Sequence, residues 1–91
     1  MRFIWDETKR KSNLLKHRLD LADAEKVFAG VTFTFEDDRF DYGEPRFITM
    51  GTLHDMVVVI AHTESEREIR IISVRKATKN EQKIYYKGFS S

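Results

Sequence analysis

The chain contains no cysteine. That excludes disulfides, thiolate nucleophiles and cysteine-ligated zinc. A secreted domain of this size usually leans on disulfides, so a reducing cytoplasm is the expected location. One proline and four glycines in 91 residues leave no room for a Gly/Pro-rich linker, and there is no repeat or low-complexity run. The longest apolar run, Met56–Ala61, is far too short to span a bilayer. The opening "MRFIWDETKRK" turns charged too soon to read as a signal peptide. Glycine-rich phosphate loops and G-x-S-x-G elbows are missing, which argues against nucleotide-dependent enzymes and serine hydrolases. The acidic stretch "EDDRFD" lacks the calcium-loop pattern, and His17, His54 and His62 lack zinc-ligand spacing, so no metal and no cofactor is expected.

What remains is an ordinary globular composition, 41% hydrophobic and 12% aromatic. A single domain over residues 1–91 is expected, with disorder confined to the tail "GFSS". The net charge of +1 hides an asymmetry: residues 1–30 balance to +2, residues 31–66 to −6 and residues 67–91 to +5. Should the two ends of the chain share a face, that face is basic and the middle acidic. A polyanion on one side and a basic partner on the other both fit.

Along the chain, "RFIW" reads as a short strand. Asp6 is a good N-cap for a helix running to about Arg18, and Asp20 for a second helix, "LADAEKVFA", with Leu21, Ala24, Val27 and Phe28 as its apolar face and Gly30 as its stop. "VTFTFE" alternates as a strand. "DDRFDYGE" is a loop turning at Gly43. Three strands come next, Pro45–Leu53, Met56–Thr63 and Glu68–Arg75, with joins short enough for antiparallel hairpins. Thr78 and Glu81 form the capping-box pattern of a last helix. The order β-α-α-β-β-β-β-α predicts an α+β fold: a mostly antiparallel sheet with packed helices. "MVVVIA" and "IRIISV" are apolar at odd and even positions alike, so the central strands should be covered on both sides.

On the first helix, Lys9, Asn13, Lys16 and His17 fall on one face, with Leu14 and Leu15 toward the other. Every member of that face can donate to a phosphate oxygen, and His17 can titrate near neutral pH. A plain solvated helix face is the alternative. Strict alternation in the last strand puts Ile69, Ile71, Ser73 and Arg75 on one side and Arg70, Ile72 and Val74 on the other. Arg75 then ends the strand beside the N-terminus of the last helix, where its guanidinium can clamp a phosphate or pair with a loop carboxylate such as Glu44. Glu44 and Arg46, two residues apart, are expected to share a face. Tyr85 and Tyr86 are adjacent, so only one of them faces a given side.

Three ordered blocks are more specific than their spacing: "FIWDETKRKSNLLKHRLDLADAEKVF", "YGEPRFITMG" and "RIISVRKATKNEQKIYY". Together they resemble the BrnT family over Phe3 to about Tyr86. The pieces that carry the resemblance are Trp5, Asp6, Lys9, Asn13, Lys16 and His17 at the start, and Arg70, Ser73, Arg75, Ala77, Glu81 and Tyr85 at the end. Arg18 stands where glycine is common in that family, and Ser65 where arginine is often found, with Arg67 two residues on. The resemblance implies a toxin of a type II toxin–antitoxin system with a RelE-like ribonuclease fold: an endoribonuclease that works without metal and stops translation by cutting RNA. It also implies a small antitoxin, typically a ribbon-helix-helix DNA binder, in a 2:2 assembly that binds operator DNA through the antitoxin.

For such a reaction Arg75 is the expected stabiliser of the phosphoryl oxygens, with Arg46 as a second clamp. The general acid and base come from His17, Glu44 and Tyr85. Lys9, Asn13, Lys16, Arg70 and Lys76 are the expected RNA-binding residues. The alternative is a non-catalytic module that holds RNA, or an antitoxin segment, in the same basic groove.

Overall fold

In the computed structural model of the chain, residues 1–39 and 41–88 are described; residue 40 and residues 89–91, most of the tail expected to be disordered, lie outside the described residues. A first strand, β1 (Arg2–Ile4), leads into α1 (Glu7–His17). The Asp6 carboxylate accepts from the N–H groups of Thr8 and Lys9, two donors that the first helical turn leaves without partners. The helix ends at Arg18, which adopts the left-handed conformation at φ 59° and donates its N–H to the Leu14 carbonyl. Glycine is favoured there because a Cβ makes that conformation costly, by about 1–2 kcal/mol. Arg18 bears this strain in place of the expected glycine.

The second helix is shorter than its sequence suggests. Asp20 caps a 3-10 turn, Leu21–Asp23, and only Ala24–Phe28 is α-helical (α2). Leu21, Ala24 and Val27 are nonetheless buried as its apolar face requires. The remaining elements are β2 (Phe33–Asp37), β3 (Arg46–Leu53), β4 (Met56–Glu64), β5 (Glu68–Lys76) and α3 (Lys79–Lys87). The five strands are ordered β1-β5-β4-β3-β2, antiparallel throughout except for β1 beside β5. The fold is thus α+β with a mostly antiparallel sheet. The β3–β4 turn carries positive φ at both His54 and Asp55, the twist that suits a two-residue hairpin.

Helices cover both faces of the sheet. Leu21, Val27, Val58, Ile60, Ile71 and Val74 form the core beneath α1 and α2, while Met50, Val57, Val59, Ala77 and Tyr85 form a smaller core beneath α3. Gly51 permits the first packing, because a Cβ there would lie 2.6 Å from Val27 Cγ1.

Two expectations about faces are corrected. In β5, Ser73 pairs with Ala61 but Ile71 pairs with His62, so Ile72 is an extra residue, a β-bulge. A bulge shifts the alternation of everything beyond it. Ile69 and Ile71 therefore join Val74 in the larger core, and Ser73 and Arg75 pass to the α3 face together with Arg70. On α1, Leu15 is 87% exposed and Leu14 is 36% exposed, whereas Asn13 is buried. The inward stripe of this helix is polar, and its contact with the sheet is made by hydrogen bonds.

His62 is another polar residue in the core. It is fully buried, shares a 2.7 Å hydrogen bond through Nε2 with Thr49 Oγ1, and meets the Phe28 ring edge-on at 5.1 Å. Its Nδ1 has no hydrogen-bond partner, with the Glu64 carboxylate no closer than 3.5 Å. Burial pushes its pKa down to about 4. An unfolded histidine titrates near 6.5, so the unfolded chain binds the extra proton between these values. Stability is fully present above about pH 6.5 and falls by about 3 kcal/mol as the pH drops toward 4. Urea midpoints across this window should show that slope in the native chain and a much flatter one in His62→Gln. Glu81 and Asp37, both held down to about 2 by arginine partners, lose their contribution only at lower pH.

Candidate nucleic-acid interface

The α3 face of the sheet is only partly covered. Arg75 sits at the boundary between its covered and open parts. The capping box at the start of α3 is formed: Glu81 donates its backbone N–H to Thr78 Oγ1, and its carboxylate accepts from Thr78 N–H. The same carboxylate binds the Arg75 guanidinium bidentately, Nη1 to Oε1 at 2.7 Å and Nη2 to Oε2 at 2.8 Å. These bonds hold Glu81 down to about 2 and raise Arg75. The expected loop partner, Glu44, is engaged elsewhere. The end-on pair consumes one N–H from each Nη and leaves the Nε–H and the second Nη2–H as a side-on fork of the kind that matches phosphate.

Helix α1 approaches the same strand from its far side. Lys9, Ser12, Lys16 and His17 line a shallow cleft of about 180 Å³ against the bulge residues Ile72 and Ser73. Lys9 and Lys16 are exposed and His17 is half-buried. Burial lowers the His17 pKa, and the charges of Lys16 and Arg75 lower it further, which favours the neutral imidazole. Lys9, Asn13, Lys16 and His17 thus share one helix face as the sequence suggests, Ser12 joins them, and the fold adds Arg75 close enough to act on His17 electrostatically.

Other expected site residues are placed differently. Asn13 turns inward: its Nδ2 donates to the carbonyls of Leu19 (2.7 Å) and Val74 (2.9 Å), and its Oδ1 accepts from Val74 N–H (3.1 Å). Tyr85 is buried in the smaller core, where its hydroxyl donates to the Val31 carbonyl at 2.8 Å and burial raises its pKa. Glu44 does not interact with Arg46 as expected; it forms an ion pair with Arg70. Arg46 lays its guanidinium 4.0 Å over the Tyr42 ring. Lys76 is exposed at the end of β5.

Two further features have only faint marks in the sequence. Asp37, opposite Arg46 in the sheet, is buried and grips Arg39 through Oδ1 to Nε (2.8 Å) and Oδ2 to Nη2 (3.0 Å). Arg39 is thereby held near enough to Arg75 for the two charges to act on each other. The D-x-R spacing at the end of β2 is the only signal that pointed to this clamp. Ser65, where the family often has arginine, closes the β4–β5 hairpin by accepting through Oγ from Glu68 N–H at 3.3 Å. Among the described residues, no three His, Asp or Glu side chains are arranged to hold a metal ion. None of the described helices is long and apolar enough to cross a membrane.

A small α+β domain with arginines distributed over one half-open sheet face, beside a lysine- and histidine-bearing helix, is suited to a polyanionic ligand. Residues 5–81 match the family described as ribonuclease toxin, BrnT, of type II toxin–antitoxin systems, and the chain belongs to that family. Membership makes it a ribonuclease toxin and implies an RNA substrate and an antitoxin partner. No curated protein matches the chain.

Proposed function

We propose that this toxin is a cytoplasmic endoribonuclease that cuts RNA by attack of the 2′-hydroxyl on the adjacent phosphorus, without a metal cofactor, and so halts translation. The reading rests on one observation: His17 lines a cleft with Lys9 and Lys16 against Ser73, two residues before Arg75 on the same strand. In this mechanism His17 takes the 2′-hydroxyl proton while Arg75 stabilises the charge gathering on the phosphoryl oxygens. The O2′–P bond forms, the P–O5′ bond breaks, and the departing oxygen takes a proton from solvent. Lys9 and Lys16 hold flanking phosphates. Arg46, Arg70 and Lys76 extend the cationic track, Glu44 orients Arg70, and Tyr85 and Asn13 support the site from within.

The overall architecture is read as RelE-like. The antitoxin is read as a ribbon-helix-helix protein in a 2:2 assembly that covers the basic groove and binds operator DNA. Exposed Glu36, Asp38, Asp41 and Glu44 supply contacts for its basic residues.

The test uses purified toxin without antitoxin on a structured RNA in excess EDTA. The expected products carry 5′-hydroxyl and 2′,3′-cyclic phosphate ends, and DNA of the same sequence stays intact. RNA that is bound but uncut, with and without ribosomes, overturns the reading in favour of a non-catalytic binding module.

A further inference from the structure

Beside Arg75 the sheet forms a cleft of about 220 Å³ that the proposed chemistry does not use. Its apolar floor and wall are Ile48, Val59 and Phe35, and its rim carries Arg75 and Arg39 together with Glu36, Asp37, Asp38 and Glu81. Phe35 is an unusual residue for an exposed position: its ring is 42% accessible on edge strand β2. It is paired across the sheet with Ile48 and points to the same face as Arg75. Its aromatic neighbour Phe33 is tilted 55° at a centroid distance of 5.8 Å, so the two rings are not stacked on one another.

An accessible aromatic face, an apolar floor and a guanidinium at the rim match the parts of a single-stranded nucleotide: base and phosphate. Proteins that hold unpaired RNA stack splayed bases on aromatic side chains while cations track the backbone. We propose that this cleft is a nucleobase subsite, in which a base next to the phosphate held by Arg75 stacks on Phe35. The inference deepens the ribonuclease reading and rests on Arg75 being the phosphate ligand. An antitoxin side chain is the competing occupant. Arg75 favours RNA, because a base seated against Phe35 leaves its own phosphate within reach of that guanidinium, while Asp37 and Glu81 on the same rim are already paired with Arg39 and Arg75.

The experiment measures binding of the full chain to a short single-stranded RNA with 2′-O-methyl groups, which removes the attacking hydroxyl and prevents turnover. Variants Phe35→Leu, Phe35→Trp and Arg75→Ala are compared at matched thermal midpoints. Stacking of one base is worth about 1–3 kcal/mol, so Phe35→Leu should weaken binding by roughly 5- to 150-fold. Phe35→Trp should stay within about twofold of the native chain, since it retains an aromatic face. An oligonucleotide with an abasic position in the subsite should abolish the difference between the native chain and Phe35→Leu. Equal affinity of Phe35→Leu and the native chain, with unmethylated RNA cut by the native chain and spared by Arg75→Ala, overturns the subsite, keeps the ribonuclease reading and assigns the cleft to a protein partner. Equal affinity of Phe35→Leu and the native chain, together with unmethylated RNA cut at the native rate by Arg75→Ala, overturns both.

Discussion

Replacing Arg75 with alanine should reduce single-turnover RNA cleavage by about 10²- to 10³-fold, the usual consequence of removing one preorganised donor from a transition-state anion. The effect should fall mainly on the rate. In the proposed mechanism several other cations also contact the RNA backbone, and the transition state differs from the ground state in the charge on one phosphoryl group. Arg75→Lys should recover little, because an ammonium cannot bind Glu81 through one edge and phosphate through another. The fold should tolerate the change, since Glu81 keeps its capping bonds to Thr78. A matched thermal midpoint checks that point. A variant that cuts at the native rate would move the chemistry away from the β5–α3 junction.

Asn13→Ala should have the largest effect on stability, about 3 kcal/mol, measured as a shift in the urea unfolding midpoint with unchanged slope. The amide bridges two segments that pack around α1, satisfying the buried Val74 N–H and two carbonyls at once. Truncation leaves the Val74 N–H and carbonyl beneath α1 without their side-chain partner. A loss of that size is a large fraction of the 5–15 kcal/mol that typically holds a domain together. If Asn13 instead served as a surface RNA ligand, the alanine variant would keep its stability and lose only RNA affinity. The three inward hydrogen bonds argue for the first outcome.

Much of the fold was legible because its signals are local. Asp6, Asp20 and the Thr78–Glu81 pair each cap the helical turn that they precede or open. The short joins after Leu53 and Glu64 make hairpins. The unbroken apolar character of "MVVVIA" reflects a strand buried on both sides. The site was less legible because it depends on partners distant in sequence. Nothing near Asn13 distinguishes an amide facing solvent from one meeting Val74, 61 residues away. Tyr85 reaches a carbonyl 54 residues earlier, and Glu44 finds Arg70 rather than its near neighbour Arg46. Arg75 was placed correctly at the strand end, but its fellow residues were not, because an apolar bulge residue such as Ile72 looks like any other strand residue.

That extra residue also gives β5 a reading frame. On either side of Ile72 the strand has opposite parity, so the guanidinium of residue 75 reaches the open face only while the count is kept. Deleting Ile72 would preserve a plausible run of apolar and basic letters and yet turn the clamp inward or drag the upstream isoleucines out. Relatives compared by hydrophobic pattern alone would align across this point without a visible gap. The arginine proposed as the phosphate ligand is therefore better tracked by its bond to Glu81, six residues on, than by its position in the strand.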